Sequence, residues 1–276
     1  MIRLPIFLLI LFLFLMTSSI RPKTSNTPLK IALFVEGETD NLLLQKIVEI
    51  VLADRRPALF RVISPYQPIN NLIPDEPTGW RGVFRRIIEN KNAGGGVFNQ
   101  SIKLRDMDVI IIHMDLDVTW HSLPDATDNP GVFTFPTPCH LRREKRIDVS
   151  CLPNCSRLDD DVHRLRHVLC HWIGEDPPAN RIVFWNPAQN AESWVVSMRA
   201  PRHPIVQAGR VECYNEPEII LSQLPKKVRI EVTCTDYKDK VVPLLNQDGW
   251  RIGATCRQAR RFIHELKKCF RILGIF

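Results

Sequence analysis

The sequence predicts an α/β fold, a Rossmann-like and mostly parallel sheet flanked by helices, with a C-terminal α/β extension. Three observations predict it. Short apolar runs recur at 30–35, 58–64 and 107–114. Stretches with helical spacing separate them, and the first and third runs each stop abruptly at acidic residues. Strand and helix alternating in this order imply parallel strands joined by right-handed crossovers. In such sheets ligands bind beyond the carboxyl ends of the strands.

Residues 30–35 read as a fully buried strand because polar residues do not alternate with the apolar ones. A helix over 39–54 follows, with Leu43, Ile47, Ile50 and Val51 at core spacing and Thr39 as its expected N-cap. "ALFRVIS" (58–64) is the second strand and "GWRGVFRRIIENKN" (79–92) the second helix, which "AGGG" (93–96) stops. "MDVIIIHM" (107–114) is the third strand. A long proline-rich and charged connection fills 121–156, before a helix at about 158–173, a strand "RIVFW" (181–185) and a helix "NAESWVVSM" (190–198). "RVECYNEPEIILSQLP" (210–225) reads as a strand end, a turn and a short helix. The last helix, about 254–272, carries Ala259, Phe262, Ile263, Leu266 and Phe270 on one face. Arg257, Arg260, Arg261, Lys267, Lys268 and Arg271 lie on the other. Trp80, Trp172, Trp185 and Trp194 fall in apolar patterns and are expected in the core.

The acids at the strand ends carry the chemistry. Glu36 closes the first strand, and Asp115 and Asp117 close the third. On an extended backbone Asp115 and Asp117 project to the same side, about 7 Å apart at Cα. Facing Glu36 on a neighbouring strand, they would repel by about 4 kcal/mol per pair at roughly 4 Å and an effective dielectric near 20. Protonation or a bound cation relieves that. Hard oxygen donors at a sheet edge suit Mg²⁺, which keeps some waters and takes further ligands from a phosphate. Asp40, in the first turn after Glu36, adds a carboxylate, and Gly37 allows close approach.

"FVEGETDNLLL" followed by "VIIIHMDLD" resembles a TOPRIM domain, the metal-binding α/β module of topoisomerases, primases and OLD-type nucleases. The resemblance spans about 30–120 by motif and implies that Glu36, Asp40, Asp115 and Asp117 hold Mg²⁺ or Mn²⁺. It implies phosphodiester cleavage with Glu36, Asp115 and Asp117 as the catalytic set, on nucleic acid and on DNA in preference to RNA. The chain then divides into an apolar segment and polar lead-in (1–29), a TOPRIM-like domain (30–200) and an extension packed on it (201–276). "NAESWVVSM" and "VECYNEPEIILSQLP" are similar to segments of small prokaryotic TOPRIM-like proteins found near defence genes. That likeness implies a partner such as an ATPase or another defence-system subunit. Glu192 has two readings, a further metal ligand or a helix N-terminal acid favoured by the dipole. The chain departs from larger members of the family in having no ATPase module, no tyrosine that sequence singles out and no lysine assignable to the site.

Other signals are weaker. A net charge of +7 fits a polyanionic partner and also serves solubility, as do the run "LRREKR" (141–146) and the basic face of the last helix. Cys139, His140, Cys151 and Cys155 invite a zinc reading without a paired CxxC signature. His163, His167 and His171 share one helical side and read as a partly exposed polar stripe. His113 is expected to point away from the acids, and His121 is a candidate to reach a phosphate or water. Eight scattered cysteines favour a reducing compartment over a disulfide scaffold. The apolar opening, "MIRLPIFLLILFLFLM", is short for a span of about 20 residues. It leaves a signal or anchor in 1–20 beside a start at Met16, and the expected compartment is the cytoplasm. Two alternatives to the enzyme stand: a non-catalytic accessory subunit, and an exported or anchored disulfide-containing binding protein.

Overall fold

The computed structural model describes residues 27–53, 55–64, 79–116, 156–187, 190–214 and 216–276. Asp117, His121, Cys139, His140, Cys151, Cys155, the run 141–146 and the apolar opening therefore lie outside the described residues. The sheet is parallel and four-stranded. Its strands are β1 (Leu29–Phe34), β2 (Ala58–Ser64), β3 (Val109–His113) and β4 (Ile182–Trp185), in spatial order β2-β1-β3-β4. With its flanking helices this is an α/β, Rossmann-like fold.

Both faces of β1, β3 and β4 are covered, which is why they read as apolar runs, whereas the edge strand β2 leaves Leu59, Arg61 and Val62 exposed. Side chains alternate along each strand. Leu29, Ile31, Leu33, Val109, Ile111, Val183 and Trp185 enter one core, and Ala32, Phe34, Ile110, Ile112 and Phe184 the other. Helices α1 (Glu38–Leu52), α4 (Glu192–Arg199) and α10 (Arg257–Ile272) fill the first core. Helices α2 (Gly79–Ala93) and α3 (Ser156–Ile173) fill the second. The exposed His163, His167 and His171 lie on the outer side of α3. Trp172, Trp185 and Trp194 are fully buried, whereas Trp80 is half-buried.

Two details of α1 differ from expectation. The helix begins at Glu38 with Gly37 as its extended N-cap, so Thr39 is already inside it and caps nothing. Ile50 lies at the rim, beside the Gly249 turn, and remains 38% exposed. The buried stripe runs instead through Leu43, Leu44, Ile47, Val48, Val51 and Leu52.

Beyond residue 200 the described chain is helical. It contains α5 (Pro204–Gln207), α6 (Pro217–Gln223), α7 (Cys234–Asp236), a π-helical turn (Tyr237–Val241), α8 (Val242–Asp248) and α9 (Trp250–Thr255) before α10. The strand end expected near 210 is a 3₁₀ turn, Val211–Cys213, because Glu212 has another use. Its carboxylate is buried and accepts from the backbone N–H groups of Arg257 and Gln258 at the start of α10. It also accepts from Trp194 Nε1 (3.1 Å). Burial pushes the Glu212 carboxyl up, while these donors and the positive end of α10 pull it back toward the ionised form. The long side chain thereby caps α10 from a distance and ties it to α4. The apolar face of α10 then packs Phe262 against Trp185 and Trp194, at ring separations of 5.9 and 6.4 Å. Its cationic residues are exposed as expected.

The preference for free thiols holds at Cys170, Cys234, Cys256 and Cys269, but Cys213 is in a disulfide. Burial pushes the Cys256 thiol up to about 12 and those of Cys170 and Cys269 up to about 11, so these three are inert apolar fillers. No helix among the described residues is long and apolar enough to cross a membrane.

Replacing Glu212 by Ala leaves buried N–H donors of α10 and Trp194 without their acceptor. We expect the unfolding free energy in urea to fall by about 2–4 kcal/mol.

Candidate metal centre

In the order β2-β1-β3-β4 the chain leaves β1 toward one edge and builds from β3 toward the other. The crevice between the carboxyl ends of β1 and β3 is thus the topological switch point, where open α/β sheets bind ligands. Phe34 pairs with Ile112 in register, so the residues that follow each strand emerge together. Glu36 and Asp115 meet there: the Asp115 N–H donates to Glu36 Oε1 at 2.8 Å. Gly79, at φ +63°, opens α2 against the same residue, with its N–H donating to the Glu36 carbonyl (3.2 Å). A positive φ favours glycine at this position.

Asp40 arrives from α1. It is the third residue of the helix, where the N-terminal dipole favours an anion, and only 8% of it is exposed. One ligand atom from each of Asp40, His113 and Asp115 lies within 4.8 Å of the other two, so this group could hold a metal ion. That bound is compatible with a single small ion, since donors about 2.1 Å from Mg²⁺ stand no more than about 4.2 Å apart. The donors are chiefly hard oxygens, which suit a hard divalent cation.

His113 corrects an expectation. It is fully buried, yet it turns toward the acids, with Nε2 3.0 Å from Asp115 Oδ1. Residues two apart on a strand share a face, so His113 belongs on the side of Asp115. Its Nδ1 lies 3.5 Å from the Glu36 N–H and accepts from it. In a neutral ring the proton is then on Nε2 and is donated to Asp115. Trp185 supports the ring from below, at a centroid distance of 4.2 Å. His113 is therefore placed to fix the orientation of the Asp115 carboxylate, the arrangement that makes a metal-binding carboxylate effective.

Glu192 opens α4 and is only 7% exposed, with Oε1 accepting from the Tyr237 hydroxyl at 2.7 Å. Burial raises the Tyr237 pKa well above its ordinary value, and the negative charges of Glu192, Asp40 and Asp115 raise it further. Tyr237 thus lies within electrostatic reach of three of the acids read from sequence. Its own sequence, "CTDYKDK", gives no periodicity that would have singled it out. At the rim, Cys234 Sγ donates to Glu38 Oε2 (2.8 Å), and this bond raises the thiol pKa. The structure therefore brings Glu36, Asp115 and Asp40 to one crevice, while Glu192 is hydrogen-bonded to Tyr237 and stands outside the Asp40–His113–Asp115 group. Asp117 lies outside the described residues.

Gly37 has an extended backbone that any residue adopts, but a Cβ there would stand 3.0 Å from Asp40 Oδ2. Gly37→Ala is expected to change the unfolding free energy by less than about 1 kcal/mol. The same change, by displacing the Asp40 carboxylate, should weaken Mn²⁺ binding about tenfold in a calorimetric titration. Comparison with protein-family models, curated proteins and solved structures gives no match for this chain.

Proposed function

We propose that the protein is a TOPRIM-like, divalent-cation-dependent enzyme that cleaves phosphodiester bonds in nucleic acid, DNA in preference to RNA. The observation that carries this reading is the meeting of Glu36 with Asp115 at the switch point, with Asp40 beside them. Asp40, Asp115 and Glu36 would hold Mg²⁺ or Mn²⁺. Such a cation, when bound, neutralises phosphate charge and lowers the pKa of a water at the reaction centre.

The protein's own groups have separable tasks in this reading. The Asp115 backbone N–H holds the Glu36 carboxylate in place, so the first motif cannot rotate away from the second. The His113 Nε2–H holds Asp115 through Oδ1 and leaves its other oxygen for the cation. The N-terminus of α1 favours the ionised form of Asp40. Burial of His113 beneath this layer excludes water from one side, which strengthens every charge interaction above it. Substrate capture falls to the surplus positive charge and to exposed cations such as Lys267 and Lys268 on α10. Binding by phosphate contacts of this kind weakens steeply as salt rises.

The test is incubation of the purified protein with supercoiled plasmid in Mg²⁺ or Mn²⁺, beside Asp115→Ala and a chelator control. We expect nicking that both controls lower at least about 100-fold. Intact plasmid, with the protein folded and cation present, would overturn the enzyme reading. It would leave an accessory binding subunit in its place.

A further inference from the structure

We infer that the cleft between α4, α5 and α9 is a binding site for a small phosphomonoester, an organic body that carries a terminal phosphate. No residue of the metal centre lines this cleft, so the inference stands apart from the reading of that centre.

Three short helices shape the cleft. Ser197 of α4 and Val206 of α5 are its buried lining, and its volume is about 600 Å³. Clefts that take small organic ligands span about 300–1,000 Å³. This one is about twenty times the ~30 Å³ share of a single water, so a bare anion would leave most of it empty. Burial of Val206 in the first core holds α5 in place, and burial of Ile252 there holds α9. Arg251 and Thr255, one helical turn apart on α9, then face the cleft together. Pro201 and Val206 offer apolar surface to the body of a ligand.

The charged groups lining it are of one sign. Arg202 enters from the turn between α4 and α5 and Arg251 from α9, and among the described residues no acidic side chain lines the cleft. Arg202 is exposed and has no hydrogen-bond or ion-pair partner among the described residues, so its whole donor fork is free for a ligand. Arg251 is positioned in advance. Its Nε donates to Asp248 Oδ1 at 2.9 Å, and its guanidinium lies over the Trp250 ring, 4.7 Å from the centroid. Both Nη groups remain for a ligand, and a clamp held beforehand lowers the ordering cost of binding. Asp248 and the C-terminal end of α4 subtract from the positive potential, so recognition falls to the forks more than to net charge. A planar carboxylate offers one edge to one fork. A phosphate presents its terminal oxygens in different directions, and two arginines arriving from separate walls can share it.

The experiment is equilibrium dialysis of the full-length protein against adenosine 5′-monophosphate, inorganic phosphate and adenosine, all in EDTA so that no cation holds phosphate in the crevice. The wild type is compared with Arg202→Gln, Arg251→Gln and Asp115→Ala, each checked for fold by circular dichroism. We expect saturable binding of the nucleotide, weakened about 10- to 100-fold by each arginine change and unmoved by Asp115→Ala. Inorganic phosphate should compete with the nucleotide, and adenosine should not. Arg202→Gln breaks no contact among the described residues, so it tests the assignment even if Arg251→Gln proves unstable. No saturable binding at millimolar nucleotide would overturn the inference. So would adenosine binding as tightly as the nucleotide, since the phosphate would then not be what is recognised. Nucleotide binding that neither arginine change weakens would also overturn it, and loss of that binding in Asp115→Ala would place the phosphate in the crevice instead.

Discussion

Two parallel strands that end side by side impose the constraint on which the rest of the structure depends. Because β1 and β3 are neighbours in register, the residues just beyond them emerge side by side. The sequence places Glu36 and Asp115 at these points, and Asp40 one helical turn from the first. Asp40 and Asp115, with oxygens within 4.8 Å of each other in this partly buried crevice, repel by an amount of order 4 kcal/mol at about 4 Å. A chain with no use for the cluster would gain by replacing one member. Here the cluster is reinforced instead: the Asp115 N–H holds Glu36, His113 holds Asp115, and Trp185 holds His113. The two inner members of that series, His113 and Trp185, are fully buried.

The C-terminal third is what makes this support rigid. Glu212 caps α10 and ties it to Trp194, and Phe262 of α10 then closes over Trp185 and Trp194. Trp185 is the ring on which His113 rests. A run of short helices, none of which would be stable alone, thus becomes the back wall of the crevice. The same third supplies Tyr237. The acidic motifs lie in the first half of the sequence, but the packing that orients them comes from its end.

Much of the fold was legible because parallel strands buried on both faces leave an apolar signature that amphipathic strands do not. The runs at 30–35 and 107–114 overlap or contain the buried β1 and β3, and the run at 58–64 coincides with β2 at both ends although that edge strand is largely exposed. The acids were legible for a related reason, since a charge ending a buried run is conspicuous. Other features were not, each for a local cause. Thr39 resembles an N-cap, but the extended Gly37 begins the helix earlier. Val211–Cys213 has the composition of a strand, but Glu212 is recruited by a helix that follows some 45 residues later in the chain. Tyr237 sits in a π turn, which breaks the 3.6-residue period that would have revealed its face. His113 was readable from two-residue alternation alone, had its apolar neighbours not suggested burial away from the acids.

The account stands or falls on whether the converging carboxylates hold a cation. The most direct measurement is X-ray diffraction from crystals grown with Mn²⁺, collected at a wavelength where manganese scatters anomalously. The account predicts an anomalous peak in the crevice, within coordination distance of Asp40 and Asp115 and beside Glu36. A well-ordered crevice with these side chains as described and no peak among them, at a Mn²⁺ concentration that occupies other sites, would contradict it.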